Sequence, residues 1–183
     1  PSFMIPLFSA LTFCIFGCII NMSKFRQGEI MKILVFSDSH GHLSRVMEIY
    51  NKTRCQAVIF LGDGLRDAQG LYSVSGSVPV YMVCGNCDFF AGGTPDTQLL
   101  ELEGRRVLIT HGHRQNVKSG LLELKSAALR SHADIALFGH THQSLLTEQD
   151  GLLLANPGAA SCGKYAVLTL SDKIEFKFGD IYD

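Results

Sequence analysis

The sequence predicts a mixed α/β protein built in layers. Three observations carry this expectation: short apolar runs that do not alternate with polar residues, helical periodicity between some of them, and a glycine-flanked polar group after each run. The runs are Ile33–Phe36, Val58–Leu61, Val80–Val83, Val107–Ile109 and Ile135–Phe138, rich in Val and Ile. Continuous runs this short suit strands covered on both faces.

The elements follow in order. Phe3 to Ile20 is an uncharged, mostly apolar stretch of 18 residues, followed by Lys24 and Arg26. That length is the lower edge of a membrane span, but Pro6 and Gly17 interrupt it and no basic region precedes it. Met31-Lys32-Ile33 reads as a native start, and Gln27-Gly28-Glu29 is compatible with codons forming a ribosome-binding sequence just upstream. Residues 1–30 are therefore expected to be upstream sequence translated by mistake, with a membrane anchor as the alternative. The functional domain is expected over residues 31–183. Within it, Leu43, Val46, Met47 and Tyr50 fit one helix face, and Leu121, Leu122, Leu124, Ala128 and Leu129 fit another. Leu145–Thr147, Leu152–Ala155, Tyr165–Leu170 and Ile174–Phe178 read as antiparallel strands, with turns at Asp150-Gly151 and Ser171-Asp172-Lys173.

Length and composition bound the function. The 183 residues favour one domain, and 46% hydrophobic with 18% charged residues describes a globular chain. A formal net charge of −1 argues against general binding of long nucleic acid or of acidic lipid. The six cysteines are scattered rather than arranged as a disulfide framework, which predicts a reducing compartment, the cytoplasm. A lone C-x-x-C, Cys84 to Cys87, is weak evidence for zinc. Histidine is the informative residue: six of seven fall into the pairs His40/His42, His111/His113 and His140/His142.

Each apolar run is followed by a polar group. These are Ser37-Asp38-Ser39-His40-Gly41, Gly62-Asp63-Gly64, Gly85-Asn86-Cys87-Asp88, Thr110-His111-Gly112-His113 and Gly139-His140-Thr141-His142. Open α/β sheets bind ligands at the C-terminal ends of their strands, so five such loops predict one site. Residues i and i+2 of an extended segment share a side, which lets Asp38 and His40 reach one ion. Asp38, His40, Asp63, Asn86, His111, His140 and His142 make seven N/O donors, too many for one tetrahedral zinc and suited to two ions. Two ions roughly 3.5–4 Å apart can clamp a phosphoryl group and acidify a water between them.

The order D-x-H, G-D, G-N-x-D, H-G-H, G-H-x-H resembles the calcineurin-like metallophosphoesterases. Together with Asn156-Pro157-Gly158 it is similar in particular to the small YfcE-type phosphodiesterases of bacteria and archaea. The resemblance covers residues 31–183. It implies a four-layer αββα sandwich and a two-metal centre, with manganese first and iron, zinc, nickel or magnesium as other occupants. It implies that Asp38, His40 and His142 hold one ion, that Asn86, His111 and His140 hold the other, and that Asp63 bridges. A bridging hydroxide would attack phosphorus in line, with Asp63, Asn86 and His113 as the catalytic set and Asn86, Cys87 and His113 touching substrate.

Two departures matter. Many relatives carry histidine where this chain has Cys87, and a thiol is a poor general acid. Small phosphodiesters, or esters with good leaving groups, are therefore expected over alkyl monoesters. Ala159 stands where the small branch usually has serine, removing a hydroxyl near the site. Other residues carry weaker expectations: His42 capping a helix or facing solvent, or equally touching substrate, His132 on the surface, Cys84 buried in a strand, Asp88 bracing its loop, and Arg66-Asp67 a solvated helix start from which Arg66 could reach a phosphate. Arg114 and Lys118 are further candidates for phosphate contact, in loops that wall the pocket at Phe89–Thr94 and Arg114–Gly120. The alternative to hydrolysis is a non-catalytic scaffold, since a retromer subunit with this fold serves chiefly as one. A homo-oligomer is left open.

Overall fold

A computed structural model describes residues 30–89 and 91–183. The reading of residues 1–30, apart from Ile30 itself, and the Phe90 part of the pocket loop lie outside the described residues.

Among the described residues, ten strands form two five-stranded sheets. The first contains β1 (Met31–Phe36), β2 (Ala57–Phe60), β3 (Val80–Met82), β9 (Lys164–Leu170) and β10 (Ile174–Asp180), in the order β10-β9-β1-β2-β3. The second contains β4 (Thr97–Leu102), β5 (Arg105–Thr110), β6 (Ile135–Leu137), β7 (Leu145–Gln149) and β8 (Leu152–Asn156), in the order β4-β5-β6-β8-β7. β1, β2 and β3 run parallel, as do β5, β6 and β8, while β9 is antiparallel to both β1 and β10, β4 to β5, and β7 to β8.

Alternation along each strand explains the uninterrupted apolar runs. Ile33 and Val35 of β1 face the second sheet, where they share a core with Val107, Ile109, Ile135 and Leu137. Leu34 and Phe36 face the other way, onto Val46 and Ile49 of α1 (Leu43–Lys52) and Ala68 and Leu71 of α2 (Leu65–Tyr72). On the far side, Leu108, Ala136 and Leu154 pack on Leu124 and Ala128 of α3 (Leu122–Arg130). The result is the four-layer αββα sandwich. No helix among the described residues is long and apolar enough to cross a membrane.

The structure corrects several details. The α1 face is carried by Val46 and Ile49, with Met47 and Tyr50 half-buried, while Leu43 lies over Gly70 of α2 and remains partly open. On α3, Leu122 and Leu129 point outward, while Leu121 packs on the inner face as expected and Ala127 joins it. β8 is antiparallel only to β7 and runs parallel to β6. The sequence reading missed α2 beyond its start and missed β4, which folds onto β5 through a Glu103-Gly104 turn whose φ values are 47° and 70°.

Candidate active site

The polar groups after β1, β2, β3, β5 and β6 meet at one end of the seam between the sheets. Asp38, His40, Asp63 and Asn86 come from the first sheet, and His111, His140 and His142 from the second. Five of these seven adopt left-handed backbone conformations: Asp38 (φ 55°), His40 (47°), Asp63 (57°), His140 (67°) and His142 (60°). Non-glycine residues rarely hold such angles without surrounding structure to enforce them, and they cluster at functional sites.

Two side-chain groups result. In one, Asp38, His40 and His142 bring their donor atoms within 4.8 Å of one another, and Asp63, His111 and His140 do the same in the other. A third grouping, His40 with Asp63 and Cys87, connects them. The Nε2 atoms of His40 and His142 lie 3.2 Å apart. His142 Nε2 is also 3.2 Å from Asp38 Oδ1, which is buried and takes part in no hydrogen bond. Two imidazole nitrogens and a carboxylate oxygen converging in this way form a donor set that fits a divalent cation.

The second group is oriented by its neighbours. His111 Nδ1 donates to the Leu61 carbonyl at 2.8 Å, which turns Nε2 toward Asn86 Oδ1 at 3.2 Å and Asp63 Oδ2 at 3.3 Å. Burial opposes a charge on His111, but the carboxylates of Asp63 and Asp38 outweigh it and raise its pKa above the ordinary value. Burial likewise pushes the Asp63 carboxyl up, yet hydrogen bonds from His111 and from the Cys87 backbone N–H, at 2.7 Å, hold it well below the usual range. His140 is driven down to about 4, by burial first and then by the charge of His111. It is therefore a neutral nitrogen donor at neutral pH. The charge of Lys118 adds to that repulsion.

The loops are fixed by buried polar residues. Asp88 accepts the backbone N–H groups of Asp63, Gly64, Leu65 and Gly85 at 2.8 to 3.0 Å, the bracing role expected of it. Asp67 is not solvated as the sequence suggested. It is 5% exposed and accepts the Ser39 hydroxyl at 2.6 Å and the Gly41 N–H at 2.9 Å, holding the loop that carries Asp38 and His40. Asn156 was noticed only as part of a motif. Its amide donates to the Gly139 carbonyl at 2.8 Å and to Thr141 Oγ1 at 3.1 Å, and so sets the His140–His142 loop. An Asn closing the apolar run Leu152–Ala155 is the signal the sequence offers. Two glycines are required by close approach: a Cβ at Gly85 would collide with the Asp63 carboxylate, and one at Gly139 with Ser37 Oγ.

The remaining candidates divide. His113 lies beside His111 and His140, with ring centroids 5.5 and 6.2 Å away and a buried Nδ1 that has no partner. Burial, then the His111 charge, lowers its pKa. Cys87 is exposed at the site, and burial followed by the Asp63 carboxylate pushes its thiol up to about 11. Cys84 is half-buried just past β3 rather than buried within a strand, and Arg114 points away into an ion pair with Asp96 at 2.6 Å. His42 turns back on its own loop, with Nδ1 2.9 Å from the Ser39 carbonyl and no side-chain cap on α1. His132, just past α3, takes no part in the site.

An αββα sandwich with a histidine- and carboxylate-rich centre at the ends of its parallel strands defines a metal-dependent phosphoesterase. Residues 31–173 match the calcineurin-like phosphoesterase superfamily domain. Over 157 residues the chain is 32% identical to the probable metallophosphoesterase YsnB of Bacillus subtilis, covering 82% of this chain and 91% of that one. It is 28% identical over 159 residues to the phosphodiesterase YfcE of Escherichia coli, covering 74% and 82%. A predicted phosphoesterase of Streptococcus pneumoniae superimposes with a TM-score of 0.73 at 29% identity, over 83% of this chain and 90% of that one. The chain belongs to the calcineurin-like phosphoesterase superfamily, in its YfcE-type branch, and is a hydrolase of phosphate esters.

Proposed function

We propose that this protein hydrolyses small phosphodiesters at a two-ion centre. Asp38, His40 and His142 would hold one divalent ion, Asn86, His111 and His140 the other, and Asp63 both. The observation that carries this reading is the position of Asp63, whose carboxylate groups with His40 on one side and with His111 and His140 on the other. Manganese is the first candidate occupant, and bound divalent ions supply Lewis acidity and an acidified water.

The chain's own residues supply binding and orientation. The Asn86 amide and His113, both beside His111, would hold phosphoryl oxygens, and the neutral His140 keeps its lone pair available at neutral pH. In the metal-free site burial, then the Asp63 carboxylate, pushes the Cys87 thiol up to about 11, and a thiol is a poorer general acid than the imidazole it replaces. This favours phosphodiesters and esters with good leaving groups, in line with the phosphodiesterase activity named for YfcE of E. coli. The free thiols Cys55, Cys84, Cys87 and Cys162 support a cytoplasmic setting.

The test is hydrolysis of bis(p-nitrophenyl) phosphate against p-nitrophenyl phosphate by protein stripped of metal and reloaded with Mn²⁺, with Asn86→Ala as control. Metal-dependent cleavage of the diester that vanishes in the control is the expected result. Stoichiometric metal without turnover would replace this reading with a binding scaffold.

A further inference from the structure

Beside the ligand cluster, a groove of about 660 Å³ runs from His40, Asp63 and Cys87 to Arg66, Gln69 and Phe89. The first turns of α2 form one wall and the loop after β3 forms the other. A lone exposed phenylalanine means little, but Phe89 is 86% exposed and lines a groove that opens onto the phosphoesterase centre. Arg66 makes no ion pair among the described residues, whereas Arg114 is committed to Asp96. Asp67, next to Arg66 in sequence, is turned inward onto Ser39 and Gly41 and does not compete for the guanidinium. The N–H groups of Gly64 and Leu65 at the start of α2 are already taken by Asp88, so a ligand's polar groups must be met by side chains.

From this juxtaposition we infer that the groove receives a nucleoside substituent of the diester, its base stacked on Phe89 and its hydroxyl or carbonyl groups held by Arg66 and Gln69. The inference rests on the phosphodiesterase reading above and adds the substrate class to it. The size agrees, since sites for small organic groups span about 300–1,000 Å³. A methyl or short alkyl substituent would leave the groove to water. The chemistry agrees as well: an aromatic face accepts any base, and a planar guanidinium meets paired oxygen acceptors.

The experiment compares the Mn²⁺-loaded full chain on thymidine 5′-(4-nitrophenyl phosphate) and on methyl 4-nitrophenyl phosphate. In Phe89→Ala and Arg66→Ala, kcat/KM is expected to fall about tenfold more for the thymidine ester than for the methyl ester, chiefly through KM. Equal falls on both esters, or no fall, would overturn the nucleoside assignment. Calorimetric binding of thymidine 5′-monophosphate and of inorganic phosphate to the same proteins separates this from a failure of hydrolysis. Tighter binding of the nucleotide than of phosphate, lost in Phe89→Ala, upholds the groove even if no ester turns over. Equal affinity for the two in the unaltered protein overturns it even if hydrolysis is fast.

Discussion

The Asp88 carboxylate accepts the backbone N–H of Asp63 at 2.8 Å, and with its other bonds it ties the loop after β3 to the one after β2. Both carboxylate oxygens are used twice. In Asp88→Asn one oxygen becomes an NH₂ group that faces backbone donors. The expected loss is roughly 2–4 kcal/mol of stability, from two donors left without an acceptor. Urea denaturation of the two proteins, each with and without metal, measures it. A loss that appears only in the presence of metal would place the effect at the centre and not in the loops.

Asp38 Oδ1, His40 Nε2 and His142 Nε2 point at one place. Divalent metal in hundredfold excess over its Kd should stabilise the protein by about 2.7 kcal/mol, which for a domain of this size raises Tm by roughly 5–10 °C. Chelation reverses the shift, and Asp38→Ala abolishes most of it. Scanning calorimetry with and without EDTA decides the matter, and identical Tm values would count against a metal centre.

In metal-free protein, His140 is expected to remain neutral down to about pH 4, while His111 keeps its charge above the ordinary imidazole value of 6.5. The signs are opposite. Between about 6.5 and 4 the unfolded chain takes up a proton at His140 that the folded chain refuses, so this residue lowers stability as pH falls through that window. His111 contributes stability that is complete below its unfolded pKa and is lost as pH rises through its higher folded value. Imidazole NMR titrations read both. His140→Gln should flatten the decline on the acid side, and a His140 titrating near 6.5 would refute the assignment.

Cys87 stands beside Asp63 as a thiol, a poor general acid for a leaving group. In Cys87→His an imidazole of ordinary acidity takes its place. Turnover of diesters with poor leaving groups, such as phenoxide, is expected to rise about tenfold or more, while 4-nitrophenoxide esters change little. A series of aryl esters tests this through the slope of log kcat against leaving-group pKa, which should become shallower. An unchanged slope would remove Cys87 from any role near the departing oxygen.

The parallel strands and the metal-competent loops were legible because both follow from burial. A strand covered by a second sheet on one face and helices on the other has no polar register, and the chain must turn at once where burial ends, which places glycine beside each donor. α2 was obscured by Gly70, a poor helix former over which the Leu43 side chain packs, 3.1 Å from where a Cβ would stand. β4 shows ordinary alternation, with Leu100 and Leu102 inward and Glu101 outward, and was overlooked because it is an edge strand with only two buried residues. Asp67 misled for a different reason. An acidic residue in the first turn of a helix is usually solvated, and its partners Ser39 and Gly41 lie 28 and 26 positions away.

The site draws its side chains from both sheets, and so it measures the alignment of one sheet on the other. Sliding either sheet by a single residue, roughly 3.3 Å along the strands, would part His111 from Asp63 and His142 from Asp38 while leaving every strand paired with its neighbours. The ligand geometry is lost at a far smaller shift, about an ångström, well before the packed seam must come apart. Catalysis should therefore fail under mild heat or denaturant before secondary structure is lost, which makes turnover the most sensitive gauge of whether the two halves remain in step.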